Sequence, residues 1–127
     1  MLLGVGVDIL SIERMRRHVA SASFMHRVFT PLELAEAAQR VEQAVYYTQI
    51  FAAKEAVFKC FGISADELRT WLDIEISDAG EAQPTVRLAG GMAELARAKK
   101  VERVALSLSS ETNHAVAFAA VECADAD

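Results

Sequence analysis

The residues best suited to chemistry lie in "QIFAAKEAVFKCFG", Gln49 to Gly62, where Lys54, Glu55 and Lys59 interrupt an apolar run. On a helix, Tyr46, Ile50, Ala53, Val57, Cys60 and Phe61 form one stripe, the expected core face. Thr48, Ala52, Glu55 and Lys59 form the opposite stripe, with Glu55 and Lys59 one turn apart. Two readings stay open. One is an ion pair on a solvated face, worth a few tenths of a kcal/mol. The other is a carboxylate that holds a metal while Lys54 and Lys59 hold phosphates, with Ala52 leaving room for a ligand.

A second carboxylate, Asp8, sits in "LLGVGVDIL". Leu3, Val5, Val7 and Ile9 alternate with Gly4, Gly6 and Asp8, which predicts a strand. Glycines on one face of a strand mark the close approach of another group. A carboxylate beside such a gap suits Mg²⁺, a hard ion with oxygen ligands; equally, an Asp at a strand end can satisfy a turn. "GVGVD" lacks the third glycine of a dinucleotide fingerprint. Arg14, Arg16 and Arg17 cluster in "IERMRRHVA" of an otherwise acidic chain, which by pattern alone reads as a solvated helix face. The spacing of His18, His26 and His114 makes no metal site.

The elements that must position these groups follow from local signals. Ser11 caps a helix through "SIERMRRHVA". "FTPLELAEAAQRVEQA" reads as a second helix, with Thr30 as N-cap, Pro31 at its first position and Glu33 completing a capping box. The helix with Glu55 follows and stops at Gly62. "DELRT" adds a short turn. "WLDIEIS" alternates as a strand with Leu72, Ile74 and Ile76 on one side; "DAGEAQP" turns, "TVRLAG" returns, and "MAELARAKK" is an amphipathic helix. "RVALSLSS" and "HAVAFAAVE" end the chain as strands around "SSETN". This order predicts an α+β domain with a mostly antiparallel sheet, one domain over residues 1–127. The chain is 53% hydrophobic and 24% charged, as a globular domain is. Its formal net charge of −5 argues against a nucleic-acid binder. Cys60 and Cys123 are expected as buried free thiols in a reducing compartment. No basic segment precedes the first apolar run and Asp8 interrupts it, so neither a signal peptide nor a membrane span is expected, and the cytoplasm is the expected location.

In order along nearly the whole chain, "GVGVDILSIERM", "RVFTPLE", "FAAKEAVFKCFG", "WLDIEI" and "LSLSSETNHAVAFAAVE" resemble the holo-acyl-carrier-protein synthases, short 4′-phosphopantetheinyl transferases. The resemblance implies transfer of the phosphopantetheine arm of coenzyme A to a carrier-protein serine, releasing 3′,5′-ADP, with Mg²⁺ held by Asp8 and Glu55. It implies that Glu55 and Lys59 are catalytic and that Lys54, Lys59, Ser109 and Ser110 meet the coenzyme. Arg14, Arg17 and Arg27 would meet an acidic helix of the acyl carrier protein. It also implies a homotrimer with sites between subunits, which agrees with the two apolar faces of "HAVAFAAVE". The chain departs from the family at Ile50, where many members have Arg, and at Ser110, where many have His; Lys54 or Arg69 is expected to compensate. "FGIS" replaces a G-T-G, and the turn at "GEAQP" is longer. The rival expectation is a carrier-protein or nucleotide-binding module of the same fold with impaired catalysis; a weaker one is an unrelated Mg²⁺-dependent phosphohydrolase.

Overall fold

Alternation makes the first ten-residue strand two-sided, and the two sides meet different surroundings. In the computed structural model, which describes residues 1–81 and 83–125, β1 spans Leu2–Ser11. Val5, Val7 and Ile9 point away from the core and are 52%, 57% and 62% exposed. Gly6 points inward and is buried. β1 pairs antiparallel with β5 (His114–Cys123), which pairs antiparallel with β4 (Val101–Ser110), so the order is β1-β5-β4. The register sets Gly6 beside Ala119 and Asp8 beside Ala117. Ala115, Ala117, Ala119 and Val121 fill the inner face of β5 and have no exposed surface.

Against that inner face lies α4 (Gln43–Cys60), the longest helix. A Cβ built at Gly4 would collide with the Cys60 carbonyl oxygen. One at Gly6 would collide with that of Ala56 and come within 3.1 Å of Lys59 Cβ. Glycine is therefore required at both positions for strand and helix to touch. The other side of α4 is covered by α3 (Pro31–Ala38) and by β2 (Ile74–Ser77). Among the described residues β2 pairs only with β3 (Thr85–Leu88), making a separate two-stranded sheet. α1 (Ile12–His18) and α2 (Ala22–Val28) lie between β1 and α3 in the chain, and α5 (Gly90–Ala98) links β3 to β4. No helix of the described residues is long and apolar enough to cross a membrane. Both cysteines are free and buried, and burial pushes the Cys60 thiol up to about 11.

The α+β class and the antiparallel pairing agree with the sequence reading, and four details differ. The strands form two sheets rather than one. "FTPLELAEAAQRVEQA" is not one helix: α3 ends at Ala38, and α4 begins at Gln43 after a turn. α2 was not expected; Ser21 starts it by accepting a hydrogen bond from Phe24 N at 3.2 Å. "WLDIEIS" is a strand only from Ile74, because Thr70 Oγ1 accepts from Leu72 N at 3.2 Å and winds Trp71–Asp73 into a 3₁₀ turn, leaving Leu72 exposed. Ala82 in the "DAGEAQP" turn, and Ala126 and Asp127 of the expected domain, lie outside the described residues.

Gly6→Val should lift β1 from α4 and cost about 2–3 kcal/mol, as overpacking does. That is a fall of roughly 10 °C in Tm for a domain of this size. A thermal melt checks it, and a variant melting with the wild type would show that the contact is not tight.

Candidate active site

Because α4 runs against β1, the residue two beyond Gly6 meets the helix turn before Ala56. Asp8 thus arrives beside Glu55 and Lys59. Lys59 Nζ donates to Asp8 Oδ1 at 3.1 Å and to the Val7 carbonyl at 3.2 Å. The lysine is 43% exposed at its side chain and Asp8 only 11%. The expected Glu55–Lys59 pair within the helix gives way to this bridge between helix and strand. Asp8 Oδ2 is buried without a hydrogen-bond partner. Glu55 can offer it a donor only by taking up a proton. Burial, then the Asp8 charge and a side-chain hydrogen bond to Asp8, push the Glu55 carboxyl up to about 7, while Lys59 pulls it down. Two carboxylates this close resist double ionisation.

Such a pair fits a hard divalent ion. The orphaned Asp8 oxygen lacks a positive partner, and the raised proton affinity of Glu55 reports the same deficit. Among the described residues no group of three or more His, Cys, Asp or Glu side chains gathers. Two carboxylates suffice for Mg²⁺, which usually keeps waters and takes further oxygens from substrate phosphates.

A cleft leads to Glu55, lined by Leu10, Ser11, Arg14, Met15 and Phe51, with His18 at its side. Ser11 accepts from Arg14 N at 3.2 Å and so starts α1, whose Ile12 and Met15 are buried. That leaves Arg14 and Arg17 on the exposed side. Arg16 is taken by Glu13 at 3.2 Å. Arg27 is exposed on α2, its guanidinium 5.9 Å from the centre of the Phe24 ring. Phe51 escaped the sequence reading, although it precedes Glu55 by one turn on the same helix.

Three expected site residues are placed otherwise. Lys54 has no exposed surface, and its ammonium meets Glu33 Oε1 at 2.8 Å, the Val28 carbonyl at 2.6 Å and the Trp71 carbonyl at 3.1 Å. All three of its protons are used inside the fold, so Lys54 is not available to a coenzyme phosphate or as a substitute for the missing Arg. Burial pushes the Lys54 ammonium down and the Glu33 carboxyl up, and their mutual attraction opposes both shifts. Ser109 faces outward opposite Val116, in a surface hollow with Ile9 and His114. Ser110 faces the other way, opposite Ala115, and accepts from Gln49 Nε2 at 3.2 Å. Both serines lie on β4, separated from β1 by β5, so one chain does not gather them around Asp8. Thr48 and Ala52, expected on a solvated stripe, are buried, because α4 is covered on both sides. Ile50 is fully buried, and Arg69 lines a separate groove with Asp73 and Gly91.

Comparison with known proteins finds a match between residues 4–119 and the 4′-phosphopantetheinyl transferase superfamily. The chain is 38% identical to the holo-[acyl-carrier-protein] synthase of Methylobacterium radiotolerans, covering 96% of this chain and 94% of that one. Among solved structures it is similar to the holo-[acyl-carrier-protein] synthase of Neisseria meningitidis, with a TM-score of 0.85, 31% identity and coverage of 96% and 99%. It is also similar to the Helicobacter pylori synthase in complex with coenzyme A, with a TM-score of 0.78, 26% identity and coverage of 93% and 99%.

The proton on Glu55 has a consequence for stability. The folded protein holds it up to about pH 7, whereas an ordinary carboxyl releases it near 4.5. The folded state therefore binds the extra proton between these values, and the contribution of this group is greatest below about 4.5 and falls as pH rises to about 7. With no divalent ion added, Glu55→Gln should gain in Tm relative to the wild type across that window. Parallel Tm-against-pH curves for the two proteins would refute the shift.

Proposed function

The chain belongs to the 4′-phosphopantetheinyl transferase superfamily, and on that premise we propose that it is a holo-[acyl-carrier-protein] synthase: it transfers the phosphopantetheine arm of coenzyme A to a serine of an apo acyl carrier protein, with Mg²⁺, and releases 3′,5′-ADP. The observation that carries this reading is the convergence of Asp8, Glu55 and Lys59, with one buried Asp8 oxygen left unpartnered.

Asp8 and Glu55 would hold the ion. When bound, Mg²⁺ would neutralise the charge that grows on the departing phosphate. Lys59 is exposed enough to leave Asp8 for a phosphate oxygen, where an ammonium acts as a point charge. Glu55, or a water it orients beside the ion, would be the base for the carrier serine. The serine oxygen would form the new bond to phosphorus, its proton passing to Glu55 or to the water that Glu55 orients, as the bond to the bridging oxygen breaks and 3′,5′-ADP leaves with the electron pair. Arg14 lines the cleft and Arg17 and Arg27 are exposed, a basic surface on an acidic protein that suits an acidic carrier helix. Opposite charges there would chiefly speed the encounter.

Ser109 and Ser110 enter this reading through assembly. Val5, Val7, Ile9 and Phe118 expose one apolar sheet face, onto which the hollow holding Ser109 opens. A homotrimer closed over that face would bring the β4–β5 end of one chain toward the Asp8–Glu55 pair of the next. Ala115, Ala117 and Ala119 face α4, so a contact between chains over the outer face would be made by Val5, Val7, Ile9 and Phe118. Light scattering behind a sizing column should give three times the chain mass of 13.8 kDa. A fully active monomer would sink the trimer.

The activity is tested by mass spectrometry of an apo carrier protein incubated with this protein, coenzyme A and Mg²⁺. Asp8→Ala and Glu55→Gln should each lower turnover at least ~100-fold, the scale of losing a charge-stabilising group, with the fold intact. Arg14→Glu should raise the KM for the carrier about tenfold and leave coenzyme affinity unchanged, a loss of about 1.4 kcal/mol. No mass gain on the carrier with wild-type protein would favour the impaired binding module.

A further inference from the structure

Lys54 and Glu55 are adjacent, and the helix turns them in different directions. Glu55 faces the cleft; Lys54 enters the body of the protein. There its ammonium meets Glu33, Val28 and Trp71, as described above. Glu33 is equally buried and spends its remaining capacity on the backbone: Oε1 accepts from Thr30 N at 2.8 Å and Oε2 from Ile76 N at 2.7 Å. This one pair ties α4 to the end of α2, the start of α3, the 3₁₀ turn at Trp71 and strand β2. The capping box was legible in the sequence, but it accounts for only part of what the Glu33 carboxylate holds.

Stability alone does not explain such a pair. A buried ion pair is often no more stabilising than apolar side chains of similar volume. What it adds is direction. α4 presents Ala52, Ala53, Ala56 and Val57 to its surroundings, all without exposed surface. On the side facing β1 these small residues do little to lock the helix, and on the other side Tyr47, Phe51 and Phe58 pack against aromatic neighbours without a directional bond. Yet the site tolerates little rotation: about 10° moves a carboxylate at the ~6 Å rim of a helix by about 1 Å, and functional constellations must be held within ≈0.5 Å. Lys54, one residue from Glu55, is the polar anchor nearest to the group that must not move.

We propose that Lys54, through its pairing with Glu33, is a positioning residue for the reaction: it fixes the rotation of α4 and thereby the spacing of Glu55 from Asp8. The proposal rests on the reading of Asp8 and Glu55 as the cation-holding pair.

The test uses Mn²⁺ as probe, titrated into the full chain and followed by electron paramagnetic resonance, beside thermal melts and steady-state kinetics. Glu33→Leu combined with Lys54→Met removes both charges and keeps the volume apolar. This double variant leaves the Thr30 and Ile76 amides and the Val28 and Trp71 carbonyls without their side-chain partners and should melt below the wild type; folded, it should bind Mn²⁺ at least tenfold more weakly and lose kcat while the KM for the carrier stays constant. Lys54→Arg, which retains the charge but not the shape of the contact, should fall between. If the folded double variant binds Mn²⁺ and turns over like the wild type, the proposal is overturned. Should it not fold, Glu33→Gln gives the same readout with a smaller change, and unaltered Mn²⁺ affinity there overturns the proposal as well. A chain that folds in neither form makes the pair purely structural, which also overturns it. Asp8→Ala separates the two levels: wild-type Mn²⁺ binding that survives Asp8→Ala sinks the site assignment itself. Binding lost in Asp8→Ala but kept in the double variant sinks only the positioning role.

Discussion

Backbone meets backbone where β1 crosses α4, and any side chain at residues 4 or 6 would part them. The rest of the structure is arranged around this contact. It is matched by small residues, Ala115, Ala117 and Ala119, on the inner face of β5 beside it. It leaves little apolar bulk on that side, and the bulk appears on the other, where Phe24, Phe29, Tyr47, Phe51, Phe58 and Trp71 form a connected aromatic cluster. It also brings a strand carboxylate and a helix carboxylate into one site with no loop between them. Sites built on regular elements are held more tightly than sites on loops.

Local signals revealed what local physics decides. The alternation of β1, the glycine face and the Thr30–Glu33 capping box were readable because each depends on neighbours within a few residues. The short α2 was missed because seven residues, a Ser cap and no acidic first turn give a weak signal. The strand start at Ile74 was misjudged because Thr70 competes for the backbone two residues on. Lys54 was misplaced for a different reason. A lysine on a helix reads as solvated or as ligand-binding, and only the tertiary arrival of Glu33 and two carbonyls makes burial tolerable. The same limit applies to Lys59, whose partner is not the glutamate one turn away but an aspartate on a distant strand. Pattern alone left Asp8 and Glu55 undecided between bland and chemical roles; the resemblance of the motifs, not their periodicity, singled them out.

The two faces of the three-stranded sheet divide the labour. The inner face is small and featureless, which suits a helix that must come close. The outer face carries Val5, Val7, Ile9 and Phe118, branched or aromatic side chains that a lone small domain has no element left to cover. The basic helix α1 lies between these surfaces in the chain, following β1 directly, so one continuous segment supplies the outer face, the Asp8 carboxylate and the arginines.

Among the described residues Asp8 sits on an edge strand whose hydrogen-bonded neighbour is β5, the last of the five strands in chain order. The helix with Glu55 and Lys59 thus precedes in the chain the strand with which β1 must pair. Closing the chain over that separation must precede any reward from the pairing, which makes such contacts slow to form. The strand that carries Asp8 therefore gains its sheet ladder from the far end of the sequence, while its contact with α4 is made by elements much nearer in the chain.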